Sequence, residues 1–206
     1  MTQRFEVHPT HPQRRLIQQA QAVLKDGGVI VMPTDACPVL ACSMGHKHAV
    51  DRLRTLRGVD DRHLLTLLCQ DLAEVGTYAQ IDNRQYRFLK EWTPGAYTFV
   101  LPATREVPRR LWHPSRKTVG LRVPDHPVAL ALLQAHGEPL LGSSLILAGD
   151  DEPLTDVEVI MRRLAGRVDL VIDAPSPGAQ PTTMIDMTGD TPQVVREGRG
   201  PIDRMT

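Results

Sequence analysis

The chain has 206 residues, of which 41% are hydrophobic and 23% charged, as is typical of a water-soluble globular protein. Lysine plus arginine equals aspartate plus glutamate at 24 each, so the overall charge favours no particular partner. No apolar run approaches the roughly 20 residues that span a bilayer, and residues 1–15 lack the apolar segment of a signal peptide. We therefore expect a cytoplasmic protein with no membrane partner.

The three cysteines, Cys37, Cys42 and Cys69, show no paired spacing. This pattern disfavours a disulfide framework and favours a reducing compartment. Cys37 and Cys42, with eight scattered histidines, are only a weak metal signal, because cysteine is more often a buried thiol than a ligand. We expect no metal site.

In chain order, the first predicted element is an amphipathic helix over residues 12–25, whose apolar residues fall on one stripe. Pro12 suits its first position, and Gly27 or Gly28 suits its C-terminal cap. The residues before it, with His8 and His11, are expected to be mobile.

The stretch GGVIVMPTDACPVLAC, residues 27–42, is the organising feature of the sequence. Residues 29–32 predict a buried strand that ends at Pro33, because proline donates no ladder hydrogen bond. Thr34 and Asp35 then follow the strand's carboxyl end, where open α/β sheets usually bind ligands. An ordinary strand capped by a turn is the alternative.

The remaining elements alternate irregularly between strands and helices. A helix over residues 49–56 stops near Gly58, Asp71 and Asp82 cap two further helices, another helix covers residues 127–136, and a capping box at Thr155 starts the last. Strands are predicted at residues 64–69, 97–101, 119–123, 140–147, 170–172 and 183–186. Because some strands follow one another directly, we predict an α/β fold with helices packed on a mixed sheet.

Several polar residues lie in or at the ends of these apolar strands: Thr34, Thr98, Arg122, Ser144, Thr182 and Thr183. Hydroxyls and arginines without acids suit the recognition of phosphate and carboxylate groups. The chain carries no P-loop, GxGxxG or GxSxG motif, and Asp125-His126 is a minor candidate for proton transfer. The sequence assigns no catalytic residue.

Residues 104–117 carry the strongest local charge, with Trp112 among five cations and one acid. The cations are Arg105, Arg109, Arg110, Arg116 and Lys117. Arginines beside an aromatic ring can hold a phosphate backbone and stack a base, so these five are our candidate RNA-binding residues. A solvated loop with one buried tryptophan explains the same pattern.

Six short motifs, in order, resemble the YrdC/YciO family and particularly its YciO branch. They are GGVIVMPTD from Gly27, TPGAYT from Thr93, VGLRVP from Val119, Ser143-Ser144, PTTMID from Pro181 and VREG from Val195. The resemblance runs from about residue 12 to residue 198. It implies a single YrdC/RibB-like α/β domain, which we expect to span residues 1–206, with a twisted mixed sheet and a concave, positively charged face.

The resemblance also implies a link to double-stranded RNA and tRNA, because the best-known members are threonylcarbamoyl-AMP synthases. These join L-threonine, bicarbonate and ATP and release pyrophosphate, for the threonylcarbamoyl modification of tRNA adenosine. By motif, Thr34, Arg122 and Thr182 would border threonine, whereas Arg57, Ser144 and Arg196 would face the nucleotide. Mg²⁺ is expected with ATP, and no tightly bound cofactor.

The chain departs from the synthase motifs at three places. The K-x-R motif is Arg57-Gly58-Val59, the S-x-N motif is Ser144-Leu145-Ile146, and Pro38 takes the place of a tyrosine. Since one lost charge-stabilising donor costs about 10²–10³-fold in rate, we favour an RNA- and nucleotide-binding protein connected with threonylcarbamoyladenosine tRNA in another step, such as removal of the group. An active synthase and a non-catalytic small-molecule binding protein are the alternatives.

Overall fold

The computed structural model describes residues 1–203, in which ten strands form one sheet and six α-helices pack on it. The strands are β1 Gln3–Glu6, β2 Ile30–Met32, β3 Val39–Ser43, β4 Thr66–Leu68, β5 Tyr97–Pro102, β6 Thr118–Arg122, β7 Leu140–Ser144, β8 Leu170–Asp173, β9 Thr183–Asp186 and β10 Gln193–Arg196. The helices are α1 Arg14–Lys25, α2 Lys47–Arg57, α3 Leu72–Tyr78, α4 Asn83–Trp92, α5 Pro127–His136 and α6 Val157–Leu164, with a 3₁₀ turn at Arg109–Leu111. The predicted extent of the domain, residues 1–206, ends outside the described residues and stays a prediction.

The sheet is mixed, as predicted. Its strand order is β1-β8-β2-β3-β7-β4-β6-β5-β9-β10. Neighbouring strands run parallel at β1–β8, β8–β2, β4–β6 and β5–β9, and antiparallel at the other junctions. Helices connect some neighbours and short turns connect others, which explains the irregular alternation in the sequence.

Two apolar cores lie on opposite faces of the sheet. Alternate residues of β2 show the division, because Ile30 and Met32 belong to the core under α1 and α5, whereas Val31 belongs to the core under α2, α3, α4 and α6. Within residues 1–203, no residue of β5, β6 or β9 belongs to the core under α1 and α5. That face of β6 and β5 carries Arg122 and Thr98 instead, and the candidate site begins there.

The helix ends follow the capping signals, with two corrections. Gly27, at φ 79°, follows the end of α1, and the amides of Gly27 and Gly28 donate to the carbonyls of Leu24 and Val23. This is the paired hydrogen bonding of a glycine-terminated helix. Pro12, however, lies before α1, which begins at Arg14.

The second correction concerns α6. The side chain of Asp156, not Thr155, accepts the hydrogen bond from the amide of Val159. Aspartate at this position accepts from the third helical amide, so the predicted box was displaced by one residue.

Three strands were not predicted: β1, β3 and the edge strand β10. β1 replaces the expected mobile terminus and pairs in parallel with β8, with Phe5 opposite Ile172. β3 lies between β2 and β7 in the segment read as part of the ligand stretch. Cys37, Cys42 and Cys69 are free, buried thiols. In the described part of the chain, no helix is long and apolar enough to cross a membrane.

Candidate functional site

The site is built around Arg122, whose side chain is only 3% exposed at the end of β6. Its Nη2 donates to the Thr34 hydroxyl at 3.1 Å and to the Asp35 carboxylate at 2.6 Å. Its Nε is buried and has no hydrogen-bond partner among the described residues. A buried donor without a partner is unusual, so the guanidinium keeps a donor that a ligand can use.

Thr34 is fully buried just beyond β2, and its hydroxyl organises the turn that follows. The hydroxyl donates to the Cys37 carbonyl at 2.8 Å and accepts from the Ala36 amide at 3.0 Å. The Thr34 amide donates to the Ser176 hydroxyl at 3.2 Å, which ties the loop after β8 to the same turn. The predicted ligand position beyond β2 is therefore a fixed turn whose hydroxyl also reaches Arg122.

Thr182 forms the opposite wall, one residue before β9. Its hydroxyl lies 2.8 Å from the hydroxyl of Thr98, and both side chains are buried. Phe99 pairs with Leu121 across the antiparallel junction, so the next register position sets Thr98 opposite Arg122. Thr183 does not join this group, because its hydroxyl donates to the Gly200 carbonyl at 2.5 Å.

Arg196 reaches the same wall from the edge strand β10. The register of β9 and β10 shifts between Val194 and Arg196, as at a bulge, which changes the direction of nearby side chains. Arg196 Nη2 donates to the Thr182 carbonyl at 3.0 Å. An exposed edge strand thus supplies one cation to the predicted nucleotide side.

Arg57, the last residue of α2, supplies a second cation. Its Nε donates to the Ser143 hydroxyl at 2.9 Å, and its Nη1 donates to the Ile146 carbonyl. Both partners lie beside Ser144, at the end of β7. The turn after β7 is fixed by the Leu145 amide, which donates to the Pro38 carbonyl at 2.8 Å.

Residues 37 and 38 link the two sides, because the Cys37 carbonyl accepts from the Thr34 hydroxyl and the Pro38 carbonyl accepts from the Leu145 amide. Burial raises the pKa of the Cys37 thiol above the ordinary value, and the Ser144 hydroxyl with the charges of Arg122 and Arg196 offsets part of the rise. The structure thus brings together all six residues that the sequence assigned to substrate and nucleotide, although Cys37 itself was read only as a buried thiol.

Two further residues of this region were not assigned to the site from the sequence. His63 lies in the loop after α2, where burial and the charges of Arg57, Arg54 and Arg196 hold its pKa below the ordinary value. Arg54 Nε is buried and unpartnered within the described chain. No motif marks either residue, since α2 and the following loop bring them to the site only in the folded chain.

The basic segment forms a separate groove of about 690 Å³ between the β5–β6 connection and Gln80. The groove is lined by four of the five predicted RNA-binding cations: Arg105, Arg109, Arg116 and Lys117. Trp112 lies in the groove and donates from Nε1 to the Val107 carbonyl at 2.9 Å. The ring is thus fixed in orientation beside the cations.

Arg110 points elsewhere, since its Nη2 donates to the Met44 carbonyl at 2.7 Å. The Asp125-His126 candidate for proton transfer is also not supported by the geometry. His126 caps α5 by accepting from the Val128 amide, and its other ring nitrogen lies 3.1 Å from the Pro175 carbonyl. Among residues 1–203, no group of three or more His, Cys, Asp or Glu side chains could hold a metal ion.

Residues 22–198 match the family model Sua5_yciO_yrdC, described as "Telomere recombination". The chain belongs to the Sua5/YciO/YrdC family. "Uncharacterized protein YciO" of Escherichia coli is 50% identical over 202 residues, which are 98% of each chain. A threonylcarbamoyl-AMP synthase of Bacillus subtilis is 27% identical over 184 residues, which are 88% of this chain and 53% of the synthase. The resemblance stated from the motifs is confirmed.

Solved structures of this family confirm the α/β fold. The crystal structure of E. coli YciO gives a TM-score of 0.96 at 48% identity, with 100% of both chains covered. The structure of P. abyssi Sua5 complexed with L-threonine gives 0.85 at 22% identity, covering 96% of this chain and 57% of that one. This second likeness is one of fold.

Proposed function

We propose that this family member binds RNA, an adenylate-type nucleotide and L-threonine, and that it serves threonylcarbamoyladenosine tRNA in a step other than the synthase reaction. The observation that carries the proposal is that residues 37 and 38 join both predicted half-sites, because the Cys37 carbonyl accepts from Thr34 and the Pro38 carbonyl accepts from the Leu145 amide beside Ser144. We propose a cytoplasmic location as well, in keeping with its three free thiols.

The threonine side is supported by the unused donor of Arg122. A ligand carboxylate that reaches Nε would complete the hydrogen bonding of a buried guanidinium. The hydroxyls of Thr98 and Thr182, 2.8 Å apart, are suited to a ligand hydroxyl or carbamoyl group. Asp35 already neutralises part of the charge, so the ligand's carboxylate would share the guanidinium with it.

The nucleotide side is supported by Arg57 and Arg196, which donate to carbonyl and hydroxyl oxygens and to no carboxylate among residues 1–203. This side offers arginines and the hydroxyls of Ser143 and Ser144. A Mg²⁺ ion would therefore arrive on the phosphates of ATP rather than on a protein carboxylate, and we propose no tightly bound cofactor.

Val59 and Ile146 support the proposal that the chain acts in a step other than the synthase reaction. Neither side chain can donate a hydrogen bond, whereas the synthase motifs carry arginine and asparagine there. Donors aimed at developing charge are the main catalytic device for such a transfer.

The first experiment measures pyrophosphate release from ATP with bicarbonate and Mg²⁺, with and without L-threonine. We expect no threonine-dependent release, together with calorimetric binding of AMP and L-threonine. Arg57→Ala should lose AMP and keep threonine, and Thr182→Val should do the reverse. Threonine-dependent release would replace this proposal with an active synthase, and absence of ligand binding would refute the pocket assignment.

The RNA half is tested by titrating tRNA at 50–200 mM salt, since each neutralised phosphate contributes about 0.7–0.9 to the slope of log affinity against log salt. Replacing Arg105, Arg109, Arg116 and Lys117 with alanine should lower the slope by about 3. Arg110→Ala is the matched control and should keep it, because Arg110 is held at Met44. An unchanged slope in the fourfold variant would show that RNA binds outside this groove, and no tRNA affinity would leave the chain a small-molecule binding protein.

A further inference from the structure

The nucleotide side contains more positive charge than its motifs account for. Arg54 and Arg57 come from α2 and Arg196 from β10, and His63 lies in the loop after α2. No ion pair within 4.0 Å neutralises any of the three arginines in the described chain. Clustered cations without neighbouring acids repel one another, and a bound anion relieves this repulsion.

The loop that carries His63 is held against the sheet. It leaves α2 through Gly58, whose φ is 67°, and the Val59 amide donates back to the Arg54 carbonyl at 3.1 Å. Leu64, the residue after His63, lies over β6. Its Cδ2 is 3.3 Å from the position that a Cβ on Gly120 would occupy. The loop therefore returns to the face of the sheet that carries Thr98 and Arg122, and the charges of Arg57, Arg54 and Arg196 act on the His63 ring.

We infer that His63 is an anion-binding residue that takes up a proton from solvent when a phosphate group enters the cluster formed with Arg54, Arg57 and Arg196. The inference rests on the proposed function and deepens it, because it makes the nucleotide side proton-linked. A protonated His63 would also supply a positive charge in place of the arginine that the synthase motif carries at the position of Val59. His63 acts here as a positioning residue for phosphate.

The direction of the linkage follows from the charges that face the ring. Burial and three arginines hold the pKa of His63 below its ordinary value, and Asp60 in its own loop opposes them only weakly. The free site therefore holds a neutral imidazole at neutral pH. A bound phosphate reverses the local charge and favours imidazolium, so binding consumes a proton and weakens as pH rises.

The test is calorimetric titration of inorganic pyrophosphate, without Mg²⁺, into the full chain at pH 6–8 in two buffers of different ionisation enthalpy. The wild type should take up more protons than His63→Gln, by at most one per pyrophosphate bound. Its Kd should rise with pH more steeply than that of the variant, by up to about tenfold per unit. Pyrophosphate's own titration is common to both proteins and cancels in the comparison.

Two variants separate charge from structure. His63→Lys should bind more tightly than wild type at pH 8, with the shallower pH dependence of His63→Gln. His48→Gln, at an exposed position of α2, is the matched control and should keep the wild-type slope. If His63→Gln keeps that slope while Arg57→Ala abolishes binding, the inference is wrong and the nucleotide site stands. If pyrophosphate binds at no pH, the nucleotide half of the proposed function falls as well.

Discussion

At the scale of single residues, the ion pair of Arg122 and Asp35 is the most demanding feature of the site. The two side chains are 3% and 14% exposed and lie 2.6 Å apart. Removing one partner from a buried pair leaves an uncompensated charge, which is worse than removing both. The pair is therefore both a structural contact and the centre of the proposed threonine side.

Arg122→Met is expected to lower the free energy of unfolding by about 3–5 kcal/mol, because it leaves Asp35 buried beside Thr34 without its donor. Asp35→Asn should cost less, and adding it to Arg122→Met should recover part of the loss. Urea unfolding of the three variants measures the effect. A loss below about 1 kcal/mol for Arg122→Met would show that water or another group already solvates this carboxylate.

His136 predicts a pH dependence of stability on the face of the sheet that α1 and α5 cover. The Ser43 hydroxyl donates to the Leu24 carbonyl and lies 3.0 Å from His136 Nε2, so it accepts from the ring. His136 Nδ1 is buried without a partner among the described residues. Burial lowers the pKa of His136, and Glu138, 3.3 Å from Nε2, offsets part of that shift.

Because the folded pKa of His136 lies below the unfolded one, the folded chain prefers the neutral ring. The corresponding stability is complete above the unfolded pKa of about 6.5 and is lost as pH falls below it. His136→Asn should therefore lose less stability than wild type between pH 7.5 and pH 5.5 in urea unfolding. Parallel pH curves for the two proteins would assign the acid sensitivity to other groups.

At the scale of elements, the glycines that end α2 and α5 offer a matched comparison. Gly58 and Gly137 both have positive φ, at 67° and 79°. A Cβ on Gly58 would lie 2.8 Å from the Cβ of Ala148, whereas a Cβ on Gly137 would meet nothing within 4 Å. Packing and backbone conformation therefore both favour glycine at position 58, whereas backbone conformation alone favours it at position 137.

Gly137→Ala is expected to cost about 1–2 kcal/mol, the strain of a left-handed residue. Gly58→Ala should cost more, and it should weaken pyrophosphate binding because the loop with His63 begins there. Chemical unfolding and calorimetry of both variants check this. Equal costs, with unchanged binding, would mean that Ala148 moves away freely.

The elements also show what the sequence could and could not predict. Buried strands and capped helices were readable because apolar runs and Asp71 or Asp82 mark them locally. β3 was missed because only Val39 and Leu40 of its five residues are large and apolar, so its run is shorter than that of a typical buried strand. β1 and β10 were missed because both are largely exposed and lie at the edges of the sheet. Arg122 was readable as a charge inside an apolar strand, whereas His63 gains its surroundings only from folding.

At the scale of the whole molecule, the groove and the pocket share β9. Thr182 precedes this strand and borders the pocket, whereas Asp186 ends it, 3.8 Å from Arg116 of the groove. Three or four residues of strand separate the two positions, which is roughly 10–13 Å. A nucleic acid held in the groove would therefore lie within reach of the nucleotide side.

Asp186→Asn is expected to strengthen tRNA binding up to about fivefold at low salt, because it removes the acid beside Arg116. The amide oxygen retains an acceptor for the Thr188 amide and hydroxyl, which Asp186 binds at 2.9 and 2.6 Å. Fluorescence anisotropy at 50 and 200 mM salt should show the gain shrinking as salt rises. Weaker binding at low salt would instead give Asp186 a direct role in contacting RNA.

The edge position of β10 has a dynamic consequence. Arg196 belongs to a four-residue strand that is exposed throughout and, among the strands of residues 1–203, pairs only with β9. Such a strand opens at low free energy, so its amide hydrogens should exchange quickly in the free protein. A phosphate ligand that bridges Arg196 to Arg57 would join this edge to α2, and deuterium uptake in residues 193–196 should slow on ligand binding. The edge strand would then report occupancy of the pocket as a change in local unfolding.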